Sequence, residues 1–248
     1  MVSNPLWQKQ IYFKFKFVTY LDFMKRAKVP FDNKHFENLQ KTGKHFTTKE
    51  TFVEIYQSNH WRGKESVSGS GSANNQTKEI SRQIPKLVKE FGMTKFLDIP
   101  CGDFNWLSKV DMGLEEYVGG DIIEEIINDN QKKFAKEKLK FLHIDLIHDS
   151  LPAADVLFCR DCLVHLSFKH IKEALVNLKR SHIRYLLTTS FSACQENIDI
   201  VTGDWRILNL EKAPFNFPKP IKLINEKCTE GDGSYADKCL GLWEIKDL

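Results

Sequence analysis

The chain has 248 residues, of which 42% are hydrophobic and 28% charged, with a formal net charge of +3 at pH 7. Such values suit a soluble globular protein with one full-sized core and exclude a disordered or collagen-like chain. The small, evenly mixed charge argues against a nucleic-acid partner, and no apolar run approaches the roughly 18 residues of a membrane span.

The opening stretch carries Trp7, Lys9, Lys14 and Lys16 among its aromatics and lacks the apolar segment and cleavage site of a secretory signal. A cytoplasmic protein without stable membrane association is expected. Ile11, Phe13, Phe15 and Phe17 alternate as in a strand, whereas Trp7, Ile11, Phe15 and Val18 fit a helical stripe; a helical extension packed on the main domain is the plainer reading. Thr47 to Tyr56 reads as helix. Ser66 to Ser72 is a small-residue loop flanked by Trp61, Arg62 and Glu65, without the Gly-Lys-Ser/Thr ending of a phosphate-binding loop. It reads as a ligand-facing loop, with a plain linker as the alternative. The next helix runs from near Thr77 to Phe91, which divides the chain into an extension over 1–76 and a main domain over 77–248.

From Lys95 onward short apolar runs alternate with helical stretches, the pattern of βαβ units and a parallel sheet. Strands are expected at Lys95 to Pro100, Glu116 to Ile122, Leu139 to Leu146, Asp155 to Arg160 and Arg184 to Phe191. Helices are expected at Asn105 to Val110, Ile123 to Lys138 and Phe168 to Ser181. An irregular insertion near 192–220 precedes two more strands, Ile221 to Lys227 and Leu240 to Lys246, joined by a Gly-rich turn. The fold class is therefore α/β: doubly wound, with a mostly parallel seven-stranded sheet and an antiparallel C-terminal hairpin.

The first strand closes in Asp98-Ile99-Pro100-Cys101-Gly102-Asp103-Phe104, where Gly102, having no Cβ, lets backbone N–H groups approach a ligand. The second closes in Gly119-Gly120-Asp121, about twenty residues on, the spacing at which a carboxylate can accept from a ribose diol. The third closes in His143-Ile144-Asp145-Leu146, with a carboxylate able to accept from an exocyclic amine such as that of adenine. A nucleoside-bearing ligand across the strand ends is indicated. The turn after the fourth strand, Cys159-Arg160-Asp161-Cys162-Leu163-Val164-His165-Leu166, supplies candidates for proton transfer. His165, slightly favoured, and Asp161 can serve as a base, or be a core histidine and a turn cap. Arg160 can bind an anionic group or neutralise a neighbouring acid, and Cys159-x-x-Cys162 admits a minor dithiol or zinc reading. No metal is expected.

The run from Leu97 to Gly102, with Asp121, Asp145 and the segment from Asp155 to Leu166 in order, resembles the motifs of class I S-adenosylmethionine-dependent methyltransferases. The resemblance implies S-adenosyl-L-methionine as cofactor, with Asp98 and Gly102 toward its methionine end, Asp121 on the ribose, Asp145 on the adenine, Ile122 and Leu146 on the adenine faces, and Cys101 and Arg160 in the same set. Pro100 and Phe104 stand where that family commonly has glycine, so the first turn should differ in shape. The fuller string through Trp106, with Glu65 to Ser72, is similar to a bacterial subgroup that often accompanies surface-polysaccharide synthesis. It implies O-methylation of a carbohydrate-related or nucleotide-linked small molecule. Tyr56, Trp61, Ser68, Ser70, Trp205 and Arg206 are the expected acceptor contacts, with 192–220 as an ordered cover; Trp205 alternatively plugs the core edge. A non-catalytic cofactor-binding module and an NAD(P)-dependent sugar-modifying enzyme are the alternatives, the latter opposed by the missing Gly-x-Gly-x-x-Gly pattern.

Overall fold

The computed structural model describes residues 32–248, so the strand-or-helix question at Ile11 to Val18 lies outside the described residues. Seven strands form one sheet: β1 (Lys95–Asp98), β2 (Glu116–Asp121), β3 (Leu139–His143), β4 (Val156–Cys159), β5 (Tyr185–Phe191), β6 (Lys222–Asn225) and β7 (Lys238–Glu244). Their order is β3-β2-β1-β4-β5-β7-β6. The first five are parallel, and β7 enters antiparallel between β5 and β6. The expected doubly wound architecture with its C-terminal hairpin is the one observed.

Side chains along a strand point alternately to opposite faces, and a sheet covered on both sides therefore needs apolar residues at every position. Phe96, Val156, Phe158, Tyr185, Leu187, Leu240 and Leu242 enter one core, against Ile80, Ile84, Leu87 and Val88. Leu97, Leu157, Cys159, Leu186 and Trp243 enter the other, against Ile171, Ala174 and Leu178. The helices supplying those residues are α3 (Asn74–Glu90) on the first face and α5 (Phe168–Lys179) on the second; α4 (Glu124–Phe134) links β2 to β3.

Ahead of the sheet stand α1 (His35–Lys41) and α2 (Thr48–Ser58), the latter opened by a Thr47/Glu50 capping box. α3 starts at Asn74, earlier than the sequence suggests, because its cap is distant: the Asn74 N–H donates to the Glu65 carboxylate at 3.0 Å. Asn105 to Val110, expected as helix, yields one 3₁₀ turn at Leu107–Lys109. Phe104, at φ +54°, turns the chain out of helical geometry just before it.

Candidate active site

Parallel strands end together, so the turns after β1, β2, β3 and β4 line one cleft, of about 1180 Å³ with its open mouth included. Asp98, Cys101, Gly102, Asp121, Ile122, Asp145, Leu146, Arg160, Asp161 and His165, all expected at the site, line it together. α2 and the chain after it close the opposite wall with Phe52, Ile55, Tyr56 and Trp61. Phe52 and Tyr56 are one turn apart on α2, a spacing readable in the sequence once the helix is known.

The first turn departs from helical and extended geometry twice, with Gly102 at φ +52° and Phe104 at φ +54°. A side chain at Phe104 in that region costs about 1–2 kcal/mol. Its ring is packed among Tyr117, Phe134 and Phe141, which offsets the cost. At Gly102 a Cβ would stand 2.0 Å from the Ser68 hydroxyl, so a larger residue, already disfavoured at φ +52°, would turn that hydroxyl away. Asp103 fastens that loop, accepting from the Ser66 hydroxyl at 2.9 Å and the Val67 N–H at 3.0 Å. Val67, Ser68 and Ser72 consequently reach the cleft wall.

Asp98 and Asp121 are buried at the strand ends. Asp121 accepts backbone N–H groups from Gly102 at 3.1 Å and Ile123 at 3.0 Å, and burial still pushes its carboxyl up to about 6. Asp98 accepts from the Tyr117 hydroxyl, and burial drives it further, to about 8. Asp145 is half-buried, accepting from the Ile147 N–H and paired with His148 Nδ1, both at 2.8 Å.

His165 sits in a short turn, Leu163–His165, with its Nδ1 3.0 Å from the Asp204 carbonyl oxygen and its ring 4.6 Å from that of Trp61. Burial lowers its pKa to about 4, so it is neutral at physiological pH. Asp161, the other candidate base, is otherwise engaged. Burial alone would raise its pKa, but Lys238 Nζ at 2.7 Å and Arg160 Nη1 at 3.4 Å hold the carboxylate below its ordinary value. Arg160 itself is spent on protein partners: Nε and Nη2 reach Glu226, and Nη2 also donates to the Gly71 carbonyl at 2.9 Å. Neutralising neighbouring acids, one of its two anticipated roles, is the one seen.

Three expected acceptor contacts lie outside the lining. Ser70 donates to Glu230 at 2.6 Å. Trp205 packs its ring against Tyr235 and Phe191, as a plug of the core edge. Arg206 turns inward to the Leu163 and Leu166 carbonyls. Indeed residues 192–220, expected as a cover, contribute nothing to the lining. Backbone bonds explain why: Gly203 N–H donates to the His165 carbonyl and Arg206 N–H to that of Val164, drawing the insertion behind the His165 turn.

Cys159 and Cys162 are both free thiols, Cys162 on the cleft wall, and no group of metal-ligating side chains occurs among the described residues. No described helix is long and apolar enough to cross a membrane.

No protein-family model and no curated protein matches the sequence. Solved structures do match the fold. Human N-acetylserotonin methyltransferase in complex with SAM is similar at 13% identity and TM-score 0.54, over 90% of this chain and 64% of that one. The N-methyltransferase NodS from Bradyrhizobium japonicum WM9, in complex with S-adenosyl-L-homocysteine, is similar at 13% identity and TM-score 0.53, over 79% of this chain and 97% of that one. The methyltransferase domain of bacterial CtHen1 is similar at 12% identity and TM-score 0.51, over 69% of this chain and all of that one. The chain thus has the fold of class I methyltransferases.

Proposed function

We propose that this chain is an S-adenosylmethionine-dependent methyltransferase that methylates a hydroxyl of a small molecule. The observation that supports this most is a pair of strand-end carboxylates, Asp121 and Asp145, on one cleft, each followed by an apolar residue that also lines it, Ile122 and Leu146. Each Asp121 oxygen takes one backbone N–H, and a carboxylate has lone pairs for further donors such as a ribose diol. Asp145 keeps the same capacity for an exocyclic amine, with Ile122 and Leu146 suited to the faces of a base. Asp98, Cys101 and Gly102 would take the methionine end. Bound there, the cofactor would supply a methyl group activated by a cationic sulfur.

The residues of the chain contribute alignment and a base. Because a carbonyl oxygen only accepts, the Asp204 contact requires the proton of neutral His165 on Nδ1, which leaves Nε2 bare. As the new C–O bond forms, the acceptor oxygen becomes strongly acidic, so a weak base suffices to take its proton at Nε2. Asp161, held as an anion by Lys238 and Arg160, is not assigned that role.

We place the acceptor beside His165, against the wall of Phe52, Tyr56 and Ser68, with Trp61 stacked on the His165 ring at 4.6 Å. The finer reading, a carbohydrate-related or nucleotide-linked acceptor used for surface polysaccharide in the cytoplasm, rests on the sequence alone. A carbohydrate-related acceptor suits the lining better than a nucleotide-linked one, since Arg160 has its guanidinium committed to Glu226, Asp161 and Gly71.

Parallel calorimetric titrations with S-adenosylmethionine, its demethylated product and NAD(P) test the reading. Saturable binding of the first two alone is expected, and binding of NAD(P) alone would overturn it. In a screen of hydroxylated acceptors, His165→Asn should lower turnover by about 10²–10⁴-fold at unchanged cofactor affinity; full activity would return His165 to a structural role.

A further inference from the structure

The insertion between β5 and β6 leaves the cleft lining to others, yet it makes a dense set of bonds to the turn that carries His165. Arg206 Nη1 donates to the Leu163 carbonyl at 2.9 Å and Nη2 to the Leu166 carbonyl at 2.8 Å, so one planar guanidinium brackets both ends of that turn. Its Nε donates to the Ile198 carbonyl at 3.2 Å, and the group lies 5.6 Å from the centre of the Phe168 ring. Arg206 has these carbonyls, and no carboxylate, in hydrogen-bond contact among the described residues. Backbone N–H groups of Gly203 and Arg206 bond the carbonyls of His165 and Val164, and the Asp204 carbonyl receives His165 Nδ1. The Asp204 carboxylate meanwhile accepts the Phe36 and Glu37 N–H groups of α1 at 2.7 and 3.0 Å, which anchors the segment from its far side.

We infer that Gly203 to Arg206 form a clamp that fixes His165 as the tautomer with a bare Nε2 toward the cleft, with Arg206 as its positioning residue. The inference rests on the methyltransferase reading for the use made of that nitrogen, but the clamp is a property of the chain itself. Arg206 acts through the turn and through its charge, and touches no reacting atom. A buried cation beside an imidazole disfavours a second positive charge, which adds to burial in keeping His165 neutral. The other titratable groups facing the ring are Asp161, which works in the opposite direction, and His60, which works in the same one. Burial lowers the Arg206 pKa itself only to about 10, so its charge is retained at neutral pH.

Nitrogen-15 imidazole spectra of the full chain, with the His165 signals assigned by loss in His165→Asn, test the clamp without any acceptor. At pH 7 the expected result is a protonated Nδ1 and a bare Nε2. The reverse tautomer, or an imidazolium at that pH, overturns the inference. Arg206→Met should raise the pKa of His165 by about one pH unit, and with it the acid limb of turnover, whereas Arg206→Lys restores the wild-type titration while leaving turnover reduced. An Arg206→Met protein in which His165 titrates as in wild type removes Arg206 from the clamp. Calorimetry with S-adenosylhomocysteine on the wild type separates the two ideas: no binding there sinks the methyltransferase reading and leaves the tautomer to be judged by its own spectra.

Discussion

Two sets of buried charges border the same cleft and differ in what they leave for a ligand. At the ends of β1 and β2, Asp98 and Asp121 are satisfied by a tyrosine hydroxyl and backbone N–H groups, and no described cation is in ion-pair contact with either. Burial consequently raises both, to about 8 and about 6. Past the end of β4, Arg160, Asp161, Glu226 and Lys238 bring two cations and two carboxylates together, Glu226 and Asp161 each touching both cations. Buried without a counter-ion, these two carboxyls keep perturbed pKa values and hydrogen-bonding capacity that no cation of the described chain takes up. A closed quartet is spent on itself. Arg160 and Asp161 are therefore paired with charges of the protein at the edge of the cleft, although both sit in the segment that looked most chemical.

The largest effect should come from breaking the quartet. Glu226→Ala leaves Arg160 and Lys238 short of a partner in a buried setting and should cost about 3–5 kcal/mol in urea unfolding. A loss below about 1 kcal/mol, the scale of an exposed pair, would mean the four charges do not act as a unit. At the open set the effect should fall on binding: Asp121→Ala should weaken S-adenosylmethionine by about 1.5–3 kcal/mol with the fold intact. Unchanged affinity in a folded variant would remove Asp121 from the ligand.

The last expected effect is a slope with pH, small at any one pH because it is spread over several units. The folded pKa of Asp98, about 8, lies above the ordinary value of 3.8 that holds in the unfolded chain. Its contribution to stability is therefore complete below the unfolded value and is lost as pH rises through the folded one, at no more than about 1.4 kcal/mol per pH unit. Unfolding free energies taken across that window should fall with rising pH in the wild type, and more gently in Asp98→Asn. Equal slopes in the two proteins would show that Asp98 ionises in the folded chain as it does in the unfolded one.

The contrast between the two sets was only half legible beforehand. Asp98, Asp121 and Asp145 could be placed from the chain alone, because each follows a short apolar run and parallel strands end on a common edge. The same reasoning put Arg160 and Asp161 in the cleft but could not pair them, since Glu226 and Lys238 arrive from the terminal hairpin: Lys238 lies 77 residues from Asp161 and Glu226 lies 66 from Arg160. The Ser/Gly loop was expected to face a ligand; that Ser68 lies on the cleft lining while Ser70 turns to Glu230 depends on how Asp103 and Gly102 seat it.

By itself the sequence determined the seven strands, the helices α2, α4 and α5, and the order of the strand-end acids. Apolar periodicity and turn residues act over a few positions, and every signal they need is local. Only the tertiary structure decided that the insertion stands behind the His165 turn and outside the cleft lining, and that the carbonyl met by His165 Nδ1 is that of Asp204. Those outcomes turn on which carbonyl or carboxylate a buried group meets. Packing chooses that partner between segments far apart in the chain, where no local pattern reaches.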